Sequence, residues 1–192
     1  MKRLVSVLAL GVLAMAAPIW GQTSTWTPDK AHSEVDFSIL HMSLAKVHGR
    51  FGNIGGSIVM NEADVTKSTV NITIDVNTVD TGVAPRDNDL KGANIFDVAQ
   101  FPTATFVSTS VAKSGAGLTV TGNLTLHGVT KPVTLNVEGP TGPIQGMDKK
   151  PHEGFTAVTT ISRTAFGIGA NMPSAVLGDD IALTIDLDLS KQ

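Results

Sequence analysis

Between Leu118 and Glu138 apolar and polar residues alternate on both sides of a six-residue link, and few structures admit that pattern. Leu118, Val120, Gly122, Leu124 and Leu126 fall on one face of the first arm, and Thr119, Thr121, Asn123 and Thr125 on the other. In the second arm Val133, Leu135 and Val137 alternate with Thr134, Asn136 and Glu138. A period of two marks a strand with one dry and one wet face. The link from His127 to Pro132 holds Gly128 for unusual dihedrals. Pro132 stands where the return strand begins and a missing N–H is tolerated. A lone hairpin does not stay folded in water, so other strands must cover its dry face.

The same period recurs along the chain. Val35, Phe37 and Ile39 alternate with Glu34, Asp36 and Ser38; Val47, Gly49 and Phe51 alternate with Lys46, His48 and Arg50. Val70, Ile72, Ile74 and Val76 alternate with Asn71, Thr73 and Asp75. Further strands are predicted over 103–112, carrying Phe106, over Phe155 to Arg163, and through Ile181, Leu183, Ile185, Leu187 and Leu189. Gly52, Gly55 and Gly56 mark bulges or bends of the kind a closing sheet needs. Thr23 to Lys30 reads as a polar lead-in and Gly139 to Gly154 as a Gly/Pro-rich loop. Residues 80–101 break the alternation. Asp87 is a candidate N-cap, Leu90 an apolar contact and Gly92 a stop, which together predict one or two short helical turns over an end of the sheet. The fold class is all-β, with eight mostly antiparallel strands. Pattern alone leaves a sandwich and a closed barrel open. An eight-stranded barrel is either filled by side chains or holds one small ligand.

The first residues have a different character. Met1-Lys2-Arg3 is positive, Leu4 to Ala17 is apolar, and Ala14-Met15-Ala16 fits a small-x-small cleavage site. Residues 1–21 therefore read as a secretory signal peptide, cut after about residue 16 to 22, with 22–192 as a single domain. The apolar run is shorter than the ~20 residues a membrane span needs. Export points to a periplasmic or secreted location. With no cysteine, neither a disulfide nor lipid attachment at a cysteine is available, so stability must come from a packed core. Removing Lys2 and Arg3 takes the formal charge from −3 to −5. A mildly acidic body argues against a nucleic-acid surface or a polybasic membrane patch.

Candidate chemistry is sparse. Nucleotide, metalloprotease and esterase motifs are absent, and no cofactor is implied. The five histidines form no strong ligand spacing, and His48 shares its face with Lys46 and Arg50. His41 extends the row of Val35, Phe37 and Ile39 and is expected to point inward. It is then either a core histidine bonded to backbone or a polar contact near a ligand head group. Arg163 follows Ile161 by two and is also expected inward, where it needs a partner such as Asp87, Asp97 or a ligand. A structural salt bridge is the plainer role. Asp87 and Asp89 could form a carboxylate pair, but helix capping explains Asp87 more simply. The row Phe37, Ile72, Ile74, Phe106, Leu124, Leu126, Leu135 and Ile185 is either packed core or the wall of a tunnel.

Five segments, taken in order, resemble the YceI-like, polyisoprenoid-binding family. They are Trp26-x-x-Asp29-x-x-His32-Ser33 with Phe37-x-Ile39-x-His41; Val47-x-Gly49-x-Phe51 with Gly56; Asp80-Thr81 through Arg86-Asp87, Phe96-Asp97 and Phe101-Pro102; Gly122-x-Leu124-Thr125-Leu126-x-Gly128-Val129-Thr130-Lys131-Pro132-Val133; and Arg163-x-x-Phe166-Gly167. The chain departs from that pattern at Phe101, where a tyrosine is expected, and at Ala165, where an acidic residue is expected. The resemblance implies a lipocalin-like barrel that holds a long isoprenoid, a quinone tail or polyprenyl chain, without catalysis. The positions nominated as lumen wall are Phe37, Ile39, His41, Phe51, Ile72, Ile74, Phe106, Leu124, Leu126, Val133, Leu135, Ile161, Arg163 and Ile185. The partner is then an isoprenoid or quinone-like lipid, with a homodimer as a further candidate. Two alternatives stay open: an enzyme or metal-dependent protein using His32, His41 or His127, and a structural barrel without ligand.

Overall fold

A computed structural model describes residues 23–192; the leader and its cleavage site lie outside them. The elements in chain order are β1 (Thr23–Pro28), β2 (Glu34–His41), β3 (Ala45–Phe51), β4 (Ile54–Asn61), β5 (Thr69–Asp75), α1 (Ala84–Lys91), β6 (Thr103–Ser114), β7 (Gly117–Leu126), β8 (Val129–Gln145), β9 (Pro151–Ser162) and β10 (Leu177–Lys191). All paired strands run antiparallel.

The ten segments fill eight places in a closed ring. β1 and β2 lie end to end along β10: Trp26 to Pro28 pair with Lys191 to Leu189, and Glu34 to His41 with Asp186 to Leu177. On their other side β4 pairs with β1 and β3 with β2. Each of these two long paths is broken once, at residues 29–33 and at Gly52-Asn53. Asn53 takes φ 51° there. The glycine-marked bend is thus where the second path turns, and the sheet closes without a free edge around most of its circumference.

The β7–β8 hairpin is tighter than the sequence suggests. Its turn is two residues, His127 at φ 52° and Gly128 at φ 74°, both left-handed. Such a turn matches the twist of the flanking strands. Pro132 sits within β8, opposite Asn123. Phe106 of β6 owes its place to Gly122, because a Cβ at that position would stand 2.5 Å from its Cζ.

Four sequence expectations are corrected. The polar lead-in is strand β1, whose inward residues are Ser24, Trp26 and Pro28. Only one of these is a large apolar residue, so its alternation does not show as hydrophobicity. The expected loop over 139–154 is mostly strand. β8 runs on to Gln145 and β9 starts at Pro151, and the ladder shifts register around Thr141 so that Pro140 and Pro143 need no partner. α1 starts after Val83, and Asp87 lies inside its first turn, where its carboxylate accepts from the Thr81 N–H and hydroxyl. Finally, β9 ends at Ser162, and Arg163 opens a short 3-10 turn over Thr164–Phe166. Gly92 does end the helix, its N–H bonded to the Asp89 carbonyl.

Candidate ligand-binding site

The inward rows of the ring do not fill it. They leave two adjoining chambers that share Val35, Ile74, Leu124 and Leu183 as a waist. One chamber lies toward the end capped by α1 and residues 92–101; its wall includes Phe37, Ile39, Phe51, Leu126 and Ile161, and its roof Leu90, Ile95 and Phe96. The Phe37 and Phe51 rings stand 5.4 Å apart, and Phe51 meets Phe96 edge-on at 5.5 Å. The other chamber runs to the opposite end past Ile72, Phe106, Val133, Leu135 and Ile185. Met60, Val65, Leu118 and Phe155 line both this chamber and a rim groove that carries Glu62, Glu153 and Lys191. That end is the mouth.

The two chambers hold ≈ 1050 and ≈ 800 Å³ of atom-free space, open margins included. Their wall is apolar almost throughout, with Ser68 and Thr159 the polar exceptions on the mouth side and Arg163 under the cap.

Arg163 is fully buried yet offers the lumen nothing. Its Nε donates to the Gly178 carbonyl at 2.9 Å, Nη1 to Ile168 and Gly169 at 3.0 and 2.6 Å, and Nη2 to Met172 and Leu177 at 2.7 and 2.9 Å. All five guanidinium N–H groups are thereby used. The expected salt bridge is not formed: Asp87 is held by Thr81, and Asp97 accepts from Gln100 at 2.6 Å. Carbonyl dipoles of the β9–β10 connection take the carboxylate's place. Neighbouring Asp179 instead accepts from the Ser162 and Thr164 hydroxyls, which hold its carboxyl below the usual range.

Thirteen of the fourteen nominated positions line the two chambers. The exception is His41, which is exposed. Near it β10 carries an irregularity between Leu177 and Ile181, and Leu177 lines the capped chamber where β2 no longer does. His32 is exposed beside Asp29 at 3.3 Å, and His127 Nδ1 lies 3.2 Å from the Phe166 carbonyl against the Phe101 ring. Among the described residues no group of three His, Asp or Glu side chains is arranged to hold a metal ion. Sequence reasoning missed the rim, Glu62, Glu153 and Lys191. Glu62 lies just past the end of β4, but Glu153 continues the row of Phe155 and Ala157 and Lys191 that of Leu187 and Leu189; reading 139–154 as a loop hid the first of these two.

The YceI-like domain family matches residues 26–189. The chain belongs to the YceI-like family. It is 38% identical over 159 residues to Protein YceI of Salmonella newport, covering 81% of each chain. It is 33% identical to UPF0312 protein ECA1782 of Pectobacterium atrosepticum, over all of this chain and 98% of that one. Among solved structures, BcnA of Burkholderia cenocepacia superposes with a TM-score of 0.74 at 26% identity, covering 84% of this chain and 98% of BcnA. The Campylobacter jejuni YceI protein gives 0.71 at 28% identity, covering 80% and 90%. A polyisoprenoid binding domain from Saccharophagus degradans, implicated in plant cell wall breakdown, shares the fold with a TM-score of 0.63 at 17% identity, covering 89% and 100%. The eight-stranded ring is therefore the YceI-like barrel. No helix among the described residues is long and apolar enough to cross a membrane.

Proposed function

We propose that this YceI-like protein is an exported, non-catalytic carrier that holds a long isoprenoid, a quinone tail or polyprenyl chain, in its lumen. One observation carries the reading: two adjoining apolar chambers share a waist and lie between the cap and the rim groove. Burial of apolar groups is worth ~0.8 kcal/mol per CH₂, so a chain of many carbons binds there without polar contacts. The thirteen inward positions are the wall, and the polyisoprenoid-binding neighbour with the same fold supports the ligand class. Residues 1–21 are the leader that directs export to a periplasm or beyond.

Trp26 supplies a test, because it is 2% exposed and lines the rim groove. A long-chain prenylated benzoquinone added to delipidated protein lacking residues 1–21 should quench its fluorescence saturably at one equivalent. Quenching that never saturates would count against the carrier reading.

A further inference from the structure

The two ends of the lumen differ in what they offer a polar group. At the cap, Arg163 is the one charged residue of the chamber among the described residues, and its five N–H groups are all engaged by carbonyls. Among the described residues no deeply buried side-chain nitrogen or oxygen lacks a partner. A head group placed there would lose its hydration and gain no hydrogen bond. At the mouth the rim presents Glu62, Glu153 and Lys191 around Trp26. Lys191 is committed: its Nζ donates to Glu62 at 3.1 Å and stands 5.5 Å from the centre of the Trp26 ring. Glu153 is half-buried and its carboxylate makes no hydrogen bond among the described residues.

We infer that the ligand lies with its tail under the cap and its head at the mouth, and that the mouth selects an uncharged hydroxyl head over a phosphate. This rests on the lumen being an isoprenoid site. Two carboxylates face one ammonium there, and that ammonium is already paired. A phosphate would set its charge against Glu62 and Glu153, whereas a hydroxyl donates to the Glu153 oxygen that has no partner. Partial burial pushes the Glu153 carboxyl up, the direction expected of a group short of hydrogen-bond donors. The heads that fit are those of an isoprenoid alcohol and of a quinol.

The test is competition on the delipidated protein, read by native mass spectrometry. The probes are a long-chain polyprenol, a hydroquinone and a polyprenyl monophosphate, all with the same chain. At least one hydroxyl lipid should outcompete the phosphate by tenfold or more, and which one does so identifies the source. Glu153→Lys, which breaks no hydrogen bond in the structure, should erase or invert that preference. Equal or tighter phosphate binding, or an unchanged preference in Glu153→Lys, overturns the inference while leaving the lumen a lipid site. If none of the three binds, the carrier reading itself falls, and this inference with it.

Discussion

Arg163 shows how one residue can be placed correctly by pattern and given the wrong partner. Its spacing from Ile161 puts it inside the barrel, and it is inside. A buried guanidinium suggests a carboxylate, yet backbone carbonyls from five residues between Ile168 and Gly178 surround it. Those carbonyls converge only after the β9–β10 connection has folded, so no local pattern announces them. Arg163→Met leaves them without a donor, and the expected loss of stability is at least about 3 kcal/mol, measured by denaturant unfolding. Arg163→Lys should recover part of it, since an ammonium brings three donors to five acceptors. His41 fails as an inward residue for a related reason. It is the last residue of β2, and the β2–β10 register shifts between Ile39 and His41, so the buried row stops at Ile39.

The β8–β9 extension is the element that sequence reasoning handled least well. Glycine and proline between Gly139 and Gly154 spell a loop, and only the cross-strand register shows that bulges absorb them. Its anchor is His152, whose Nδ1 lies 2.6 Å from Asp188 and whose Nε2 lies 3.2 Å from Asp148. Hydrogen bonding to Asp188 leads in raising the His152 pKa above 6.5, with Asp148 adding to it. Asp148 is lowered below 3.8, chiefly by the Lys150 N–H and also by His152. The signs set a window. The His152 contribution is complete below pH 6.5 and is lost as pH rises through its raised pKa; that of Asp148 is complete above 3.8 and is lost as pH falls through its lowered one. Amide exchange in Thr141–Gln145, corrected for its intrinsic pH dependence, should therefore be slowest between those limits and speed up toward alkaline pH. In His152→Ala the alkaline acceleration should vanish.

At the scale of the whole molecule, alternation made eight strands legible but not their closure; the barrel came from the family resemblance. Alternation in residues such as Ile72, Phe106, Leu124 and Ile185 identified wall positions, because a two-residue period fixes which side faces in. Whether that side would be packed or hollow depends on strand tilt and stagger, which are not written in any one strand. The waist gives the hollow reading a specific consequence. Leu183 lines both chambers, and Leu183→Phe narrows the passage between them at a stability cost of about 1–3 kcal/mol. Lipids bound to that variant should be shorter than those bound to the wild type, as read from their masses.

The most direct measurement is native mass spectrometry of the protein purified from its own host, followed by organic extraction of the same sample. A complex heavier than the chain by one apolar lipid, which extraction releases as an isoprenoid, is the expected result. A mass equal to that of the bare chain, with no isoprenoid in the extract and none taken up when a polyprenol is added, would contradict the lumen as a lipid site.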